Sequence, residues 1–310
     1  MTCTVEARGL YKVYPGGVEA VKGVDITARS GRTSLMGPNG SGKTTTLSMI
    51  AGALKPTRGS VTVCGYDVWG AEWLDARRKI GYAPQDMPFR VRLSGMDNLV
   101  WYGLLKGLSL GEARRRAREL AEVLDMGDYL GRSVASYSGG MRRRLSIAAA
   151  MMGYPEVLIL DEPASGLDPR AREELWRLIE VTLKDVLVIY STHIPEEAAR
   201  HSNMVYIFNE GVVAASGSPE ELISRYSPKP KIIVYTREDV EPIRVDGLEP
   251  QVISRGIYMY TVDDPSQGVR MIVDAYSIRG APIERVETRK PGLEEVFFTV
   301  TGRRLEEVEA

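Results

Sequence analysis

Short, almost continuous runs of apolar residues alternate with helical patterns along the chain up to residue 222. The apolar runs lie at residues 33–36, 80–83, 157–160 and 186–190. Strands that are buried on both faces of a parallel sheet have this uninterrupted apolar character. The hairpin-like segments 18–28 and 59–66 predict a smaller antiparallel layer. The pattern therefore predicts an α/β core.

A helical pattern interrupts these strands between residues 85 and 136. Its clearest helix begins at the capping box formed by Ser109 and Glu112 and extends to about residue 124. We therefore interpret residues 86–140 as a helical insertion in the α/β core.

Two prolines within residues 226–231 predict a linker. Strand-like runs follow at residues 232–236, 256–262 and 283–288, with a helical pattern at residues 267–277. A last helix is predicted from Pro291, which suits a first helical turn, to about residue 300. We therefore divide the chain into a core domain at residues 1–225 and a small α+β domain at residues 226–310.

The overall composition narrows the possible classes of protein. The chain has 310 residues and a formal net charge of -1, so no general attraction to nucleic acid is expected. The distant cysteines Cys3 and Cys64 predict no disulfide framework, as is typical of a reducing cytosol. We expect no secretory signal, and no run approaches the roughly 20 apolar residues of a membrane-spanning helix. A membrane process would therefore need a separate membrane-spanning polypeptide.

A glycine-rich segment follows the first apolar run and precedes a helical pattern at residues 45–50. It consists of Gly37, Pro38, Asn39, Gly40, Ser41, Gly42, Lys43 and Thr44 and fits the pattern G-x-x-x-x-G-K-[ST]. Its backbone N–H groups can converge on phosphate oxygens at the positive end of a helix dipole. Lys43 can neutralise the β- and γ-phosphates, and the Thr44 hydroxyl can ligate Mg²⁺. A glycine-rich turn with an accidental lysine is the alternative.

Polar side chains follow two of the other apolar runs. Asp161 and Glu162 come after residues 157–160, and His193 comes after residues 186–190. The carboxyl ends of parallel strands border the crevice in which α/β sheets bind ligands. Asp161 is thus placed to hold Mg²⁺, Glu162 to orient or deprotonate an attacking water, and His193 to sense the γ-phosphate. Solvated acids and a structural histidine are the alternatives.

The order of these segments resembles the ATPases of ABC transporters over about residues 3–222. Tyr137, Ser138, Gly139, Gly140 and Met141 resemble the signature motif of that family, usually Leu-Ser-Gly-Gly-Gln. The chain departs at Tyr137 and Met141, a variant similar to a drug-export and polyketide-resistance branch. Two glycines behind a serine let a helix N-terminus approach an anion closely. The resemblance implies that these residues bind the γ-phosphate of a nucleotide held by a second subunit.

The resemblance implies roles for four further residues. Tyr14 would stack on the adenine of ATP, Thr45 would join the phosphate loop in binding the nucleotide, and Gln85 would reach Mg²⁺ or the attacking water. Asp168 matches the loop that couples the two nucleotide sites of a dimer. Residues 291–303 resemble the tail of the same exporter branch.

These features predict a P-loop NTPase fold of the ABC type, which is α/β with an antiparallel β layer, a helical insertion and a small α+β C-terminal domain. The implied reaction is hydrolysis of ATP to ADP and phosphate, with ATP and Mg²⁺ as cofactors and Lys43, Glu162 and His193 as catalytic residues. The implied partners are a second copy or a homologous ATPase subunit and a separate polytopic permease, at the inner face of the cell membrane. Export is favoured by Tyr137, Met141 and the tail. An importer subunit and a nucleotide-dependent scaffold are the alternatives.

Overall fold

The computed structural model describes residues 3–237, 240–303 and 305. A six-stranded sheet at its centre contains β3 (Arg32–Met36), β6 (Ile80–Ala83), β7 (Val157–Leu160), β8 (Leu187–Thr192), β9 (Met204–Asn209) and β10 (Val212–Gly217). The spatial order is β10-β9-β3-β8-β7-β6, and only β10 runs antiparallel to its neighbour. Every residue of β7 and β8 is buried, as the apolar runs predicted. The parallel core is confirmed.

An antiparallel sheet shares an apolar core with this central sheet. It contains β1 (Val5–Val13), β2 (Glu19–Ala28), β4 (Arg58–Val63) and β5 (Tyr66–Asp67) in the order β2-β1-β4-β5. The predicted antiparallel layer is confirmed. Segment 59–66 forms a hairpin of β4 and β5, whereas segment 18–28 is the single strand β2, whose partner β1 was not predicted. Its pairing with β2 shifts register near Gly9, and such an irregularity weakens the two-residue alternation that identifies a strand.

The prediction that no disulfide forms is wrong, because Cys3 and Cys64 are bonded to each other. Val5 of β1 pairs with Val63 of β4, so the antiparallel register places the adjacent cysteines side by side, with Cα atoms 4.4 Å apart. The bond links cysteines that flank β1 and β4 and are 61 residues apart in the sequence. The cysteine content therefore gives no support to a reducing compartment.

The helices outside the insertion and the C-terminal region pack on the two sheets. They are α1 (Lys43–Ile50), α2 (Trp73–Lys79), α6 (Pro169–Thr182), α7 (Pro195–His201) and α8 (Pro219–Tyr226). Helix α1 buries Leu47, Met49 and Ile50 between the sheets. Because α1 follows β3 directly, it fixes the loop that joins them against both layers.

The helical insertion between β6 and β7 is confirmed. It begins with α3 (Gly95–Leu105), α4 (Leu110–Val123) and a 3₁₀ turn (Val134–Ser136), and it returns to the core through α5 (Gly139–Met151). The predicted capping box is present, since Ser109 accepts a hydrogen bond from the backbone N–H of Glu112 and the Glu112 carboxylate accepts one from Ser109. No helix of the described residues is long and apolar enough to cross a bilayer.

The C-terminal region forms a four-stranded antiparallel sheet covered by one helix. The elements are β11 (Lys231–Thr236), β12 (Gln251–Ser254), β13 (Ile257–Thr261), α9 (Pro265–Ile278) and β14 (Ile283–Arg289). The sheet order is β12-β13-β11-β14, and Tyr260 and Tyr276 are fully buried between sheet and helix. The three predicted strands and the helix are confirmed. The exposed edge strand β12 was missed.

The last helix, α10 (Leu293–Thr301), packs on the core rather than on the small domain to which the sequence assigned it. Its buried side chains Leu293, Val296 and Phe297 share an apolar cluster with β3, β9, β10, α7 and α8. Pro291 lies outside the helix, because the Glu295 carboxylate accepts a hydrogen bond from the backbone N–H of Gly292 and caps the helix one residue later. The chain thus returns to the core after the C-terminal sheet.

Candidate active site

The glycine-rich loop joins the end of β3 to the start of α1, at the edge of the central sheet. Gly42 has a left-handed backbone with φ of 101°, and a Cβ added there would lie 2.6 Å from the carbonyl oxygen of Ala20. A Cβ on Gly37 would lie 2.3 Å from the carbonyl oxygen of Phe208. Glycine is therefore required at both positions, by close approach and, at Gly42, by conformation.

The loop closes around the side chain of its own lysine. Lys43 Nζ donates hydrogen bonds to the carbonyl oxygens of Gly37 and Pro38, each at 2.7 Å. The ammonium group is buried at the N-terminus of α1, where the helix dipole also favours an anion. This arrangement concentrates positive charge inside a loop of phosphate-binding shape.

Asp161 and Glu162 follow β7 and are both buried. Asp161 Oδ1 accepts hydrogen bonds from Thr44 Oγ1 at 3.1 Å and from Ser191 Oγ at 2.5 Å. Ser191 Oγ also accepts a hydrogen bond from the backbone N–H of Glu162 at 2.9 Å. Burial raises the pKa of the Asp161 carboxyl above its usual range. Ser191 therefore holds both acidic residues in place.

The residues beside Asp161 fit a divalent cation. Asp161 Oδ2 is buried and has no hydrogen-bond partner among the described residues. An oxygen of this kind needs a partner, and carboxylate and hydroxyl oxygens are the ligands that Mg²⁺ prefers. Thr44 and Asp161 supply one of each within hydrogen-bond distance.

Glu162 and His193 lie opposite each other at the ends of neighbouring strands. His193 Nδ1 is 3.5 Å from Glu162 Oε1. The nearby His193 side chain holds the pKa of the Glu162 carboxyl below its usual range, so the group is ionised at neutral pH. A buried, ionised carboxylate is suited to orient a water molecule or to accept a proton from it.

An open cavity of about 680 Å³ collects most of the predicted nucleotide-binding residues. Its lining includes Tyr14, Asn39, Gly40, Gly42, Lys43, Thr44, Thr45, Gln85, Glu162, Ser165 and His193. Tyr14 is 37% exposed, and its hydroxyl lies 3.4 Å from Thr45 Oγ1. An exposed aromatic ring at the rim of a polar cavity is available for stacking on a base.

The signature residues and Asp168 lie outside the lining of this cavity. Ser138 caps α5 by accepting a hydrogen bond from the backbone N–H of Met141 at 3.3 Å, and both Ser138 and Gly139 are exposed. A Cβ added to Gly139 would meet no heavy atom of the described residues within 4 Å. Asp168 caps α6 by accepting from the N–H groups of Arg170 and Ala171. One chain therefore does not bring these residues to its own phosphate loop.

The departures from the usual signature have a packing explanation. Tyr137 is buried, donates a hydrogen bond to the Tyr129 carbonyl oxygen at 2.8 Å and packs edge-to-face on the Tyr129 ring. A Cβ on Gly95 would lie 2.2 Å from the Tyr137 hydroxyl oxygen, so the smaller residue accommodates the larger one. Met141 is half-buried against the same apolar cluster.

Ser191 binds both acidic residues, although no role was predicted for it from the sequence. The sequence did contain a signal, because Ser191 comes directly after the apolar run 186–190 that precedes His193. The strand-end rule that selected Asp161 and His193 would have selected it as well.

Comparison with known proteins agrees with this geometry. The family model described as ABC transporter matches residues 21–165. The daunorubicin/doxorubicin resistance ATP-binding protein DrrA of Streptomyces peucetius is 34% identical, covering 97% of this chain and 93% of that protein. The Nod factor export ATP-binding protein I of Rhizobium leguminosarum bv. viciae is 36% identical, covering 97% and 96%.

A solved dimeric ATP-binding cassette in a post-hydrolysis state, bound to ADP and phosphate, has the same fold. It matches with a TM-score of 0.63 and 26% identity, covering 69% of this chain and 98% of that one. The chain therefore belongs to the family of ABC transporter ATP-binding proteins. It is the ATP-binding and ATP-hydrolysing subunit of an ABC transporter.

Proposed function

We propose that this ATPase powers an exporter by closing a dimer around ATP at the inner face of the cell membrane. Each subunit contributes its phosphate loop, residues 37–44, to one nucleotide. It contributes its signature helix, α5 with the cap Ser138, to the other. The second subunit is another copy of this chain or a homologous ATPase, and a separate polytopic permease carries the cargo. Export is supported by relatives whose names refer to drug resistance and Nod factor export.

The dimer proposal rests on the position of Ser138 and Gly139. Ser138 and Gly139 begin an exposed helix N-terminus that does not line the phosphate cavity of its own chain. Within the described part of the monomer there is no packing reason for a glycine at position 139, because an added Cβ would meet no heavy atom there within 4 Å. An anion brought by a second subunit supplies a reason, since close approach to a phosphate favours glycine at a helix N-terminus.

The residues in and beside the cavity would have different roles during hydrolysis. The phosphate loop and Lys43 bind and orient the phosphates, and Tyr14 stacks on the adenine. Glu162 orients the attacking water and accepts its proton, while His193 holds the carboxylate and contacts the γ-phosphate. Thr44, Asp161 and Gln85 would hold Mg²⁺, which supplies charge stabilisation at the phosphates when bound. Little covalent chemistry is required of the protein, so positioning dominates.

A cleft beside the insertion gives the permease a place to sense this cycle. It has a volume of about 430 Å³ and is lined by residues that include Gln85, Phe89, Val91, Arg143 and Gly166. Gln85 and Ser165 also line the phosphate cavity, so the two openings share two residues. The Arg143 side chain donates a hydrogen bond to the Gln85 carbonyl oxygen at 3.1 Å. Movement at the nucleotide can therefore reach the cleft through this loop.

Purification from membranes tests the transporter assignment. The tagged chain is isolated in detergent with its stoichiometric partner, and the complex is reconstituted with the ATPase facing outward. We expect a polytopic protein to accompany it and MgATP to drive cargo into the vesicles, with daunorubicin as the first probe. Lys43→Ala should retain the partner and lose transport. Recovery of soluble partners alone would overturn the assignment.

A further inference from the structure

A chain of buried and half-buried polar contacts connects the His193 turn with the loop that precedes α6. We propose that Arg172, Glu197 and Thr192 are positioning residues for hydrolysis. They hold His193 toward Glu162 and make its placement depend on residues 165–168. The inference rests on the proposed function, because that loop is expected to face the second subunit.

Glu197 is the centre of this group, which we call the Arg172–Glu197–Thr192 chain. Glu197 lies in α7 and is only 5% exposed. Its Oε2 accepts a hydrogen bond from Thr192 Oγ1 at 2.6 Å, and its Oε1 lies 3.4 Å from Arg172 Nε. A carboxylate is rarely buried this far unless charge and hydrogen bonds compensate it. Glu197 therefore depends on both neighbours.

Thr192 connects Glu197 to the turn that carries His193. Its Oγ1 accepts a hydrogen bond from the backbone N–H of Ile194 at 3.0 Å, which closes a tight turn around His193. Its carbonyl oxygen accepts a hydrogen bond from the backbone N–H of Gly37, the first residue of the phosphate loop, at 3.2 Å. The direction of the His193 side chain and the start of the phosphate loop are thus fixed by one residue.

Arg172 connects the same group to the loop before α6. One guanidinium nitrogen, Nη2, donates a hydrogen bond to the Leu167 carbonyl oxygen at 3.4 Å, while Nε faces Glu197. The planar guanidinium group can hold both acceptors at fixed angles, which an ammonium group cannot do. A displacement of Leu167 therefore acts on Glu197, then on Thr192, and then on the turn that carries His193.

Steady-state and binding measurements on the full-length chain test this proposal. Glu197→Gln keeps an acceptor for Thr192 and removes the charge that faces Arg172. We expect kcat to fall about 10-fold and the Kd for ATP to change less than about 2-fold, because misplacement affects the reacting geometry more than ground-state binding. In a His193→Ala background the same substitution should have no further effect on kcat.

Further variants separate a positioning role from an effect on general stability. Glu180→Gln is the matched control, since Glu180 lies on the same helix as Arg172 and pairs with Arg32 at 3.2 Å away from the cavity. Its kcat should remain that of the wild type. Thr192→Val should reproduce the fall in kcat, and Thr192→Ser, which keeps the hydroxyl, should restore it. The two Thr192 variants test the positioning role even if Glu197→Gln does not fold.

The outcomes distinguish this inference from the proposed function. Wild-type kcat in both Glu197→Gln and Thr192→Val, or an equal fall with and without His193, would overturn the positioning role. A wild-type chain that binds ATP without hydrolysing it would instead contradict the proposed function. A fall in melting temperature with unchanged kcat would show that the Arg172–Glu197–Thr192 chain serves the fold alone.

Discussion

Glu162 is held as a buried carboxylate by its surroundings. The residue has a left-handed backbone with φ of 47°, and its N–H group is fixed by Ser191. Its side chain faces His193, which lies at the end of the adjacent strand. An unfavourable backbone conformation that is retained at a buried carboxylate is a sign of functional constraint. The geometry agrees with a group that acts on water rather than on the fold.

Glu162→Gln should separate nucleotide binding from hydrolysis. The amide preserves the shape of the side chain but cannot accept a proton, so we expect kcat to fall by about 10²–10⁴-fold. Because the phosphate loop is unchanged, the Kd for ATP should stay close to that of the wild type. Single-turnover hydrolysis and equilibrium binding measure the two quantities. Near-normal turnover would remove Glu162 from its role.

His193→Ala should change the pH dependence of the residual activity. Loss of the contact with His193 raises the pKa of Glu162 toward its ordinary value, so the carboxylate becomes protonated at a higher pH. The acid limb of the kcat profile should therefore move to higher pH. His201→Ala is the control, because His201 contacts Glu180 and stacks on Trp176 instead. An acid limb at the same pH in His193→Ala and in the wild type would contradict an interaction between His193 and Glu162.

At the scale of elements, the strand-end rule explains why the predicted site residues lie close together. Buried parallel strands are short apolar runs, and the polar residues that follow them must meet at one edge of the sheet. This places Lys43, Asp161, Glu162 and His193 together without knowledge of the fold. Gln85 follows β6 in the same way, but its exposed loop gives no physical signal, so its role came from family resemblance alone.

Gly139→Asp should weaken the dimer without weakening the monomer. The new side chain has open space in one chain, and an acid in the first turn of α5 suits the helix dipole. Facing a phosphate of the second site, the same acid is repelled, so ATP-driven association should weaken about 100-fold or more. Gly131→Asp is the control, since that position also has open space. Equal association in both variants would contradict contact by the signature helix across the dimer.

The whole molecule contains long-range contacts that no local pattern predicts. Helix α10 returns to the core after the C-terminal sheet, because its apolar face matches a surface formed by β9, β10 and α8. The sequence showed an amphipathic helix but not the surface that it covers. The Cys3–Cys64 bond is similar, since it depends on the register of β1 and β4. Such features need the tertiary arrangement itself.

Removal of the disulfide should lower stability more than activity. The bond closes a long loop, and loss of such a cross-link typically costs about 2–4 kcal/mol of unfolding free energy. Cys64→Ser should therefore unfold at a lower denaturant concentration while its kcat stays close to that of the wild type. Reduction of the wild-type protein should produce the same shift. Identical unfolding midpoints with and without reductant would contradict this contribution.

The mass of the Glu162→Gln variant in solution tests the central claim most directly. The account predicts that MgATP converts this variant from single chains of 34.3 kDa to a species of twice that mass in sedimentation velocity, and that MgADP does not. Addition of Gly139→Asp should return it to the single-chain mass. Single chains that remain fully loaded with MgATP would contradict the claim that two copies complete each other's nucleotide sites.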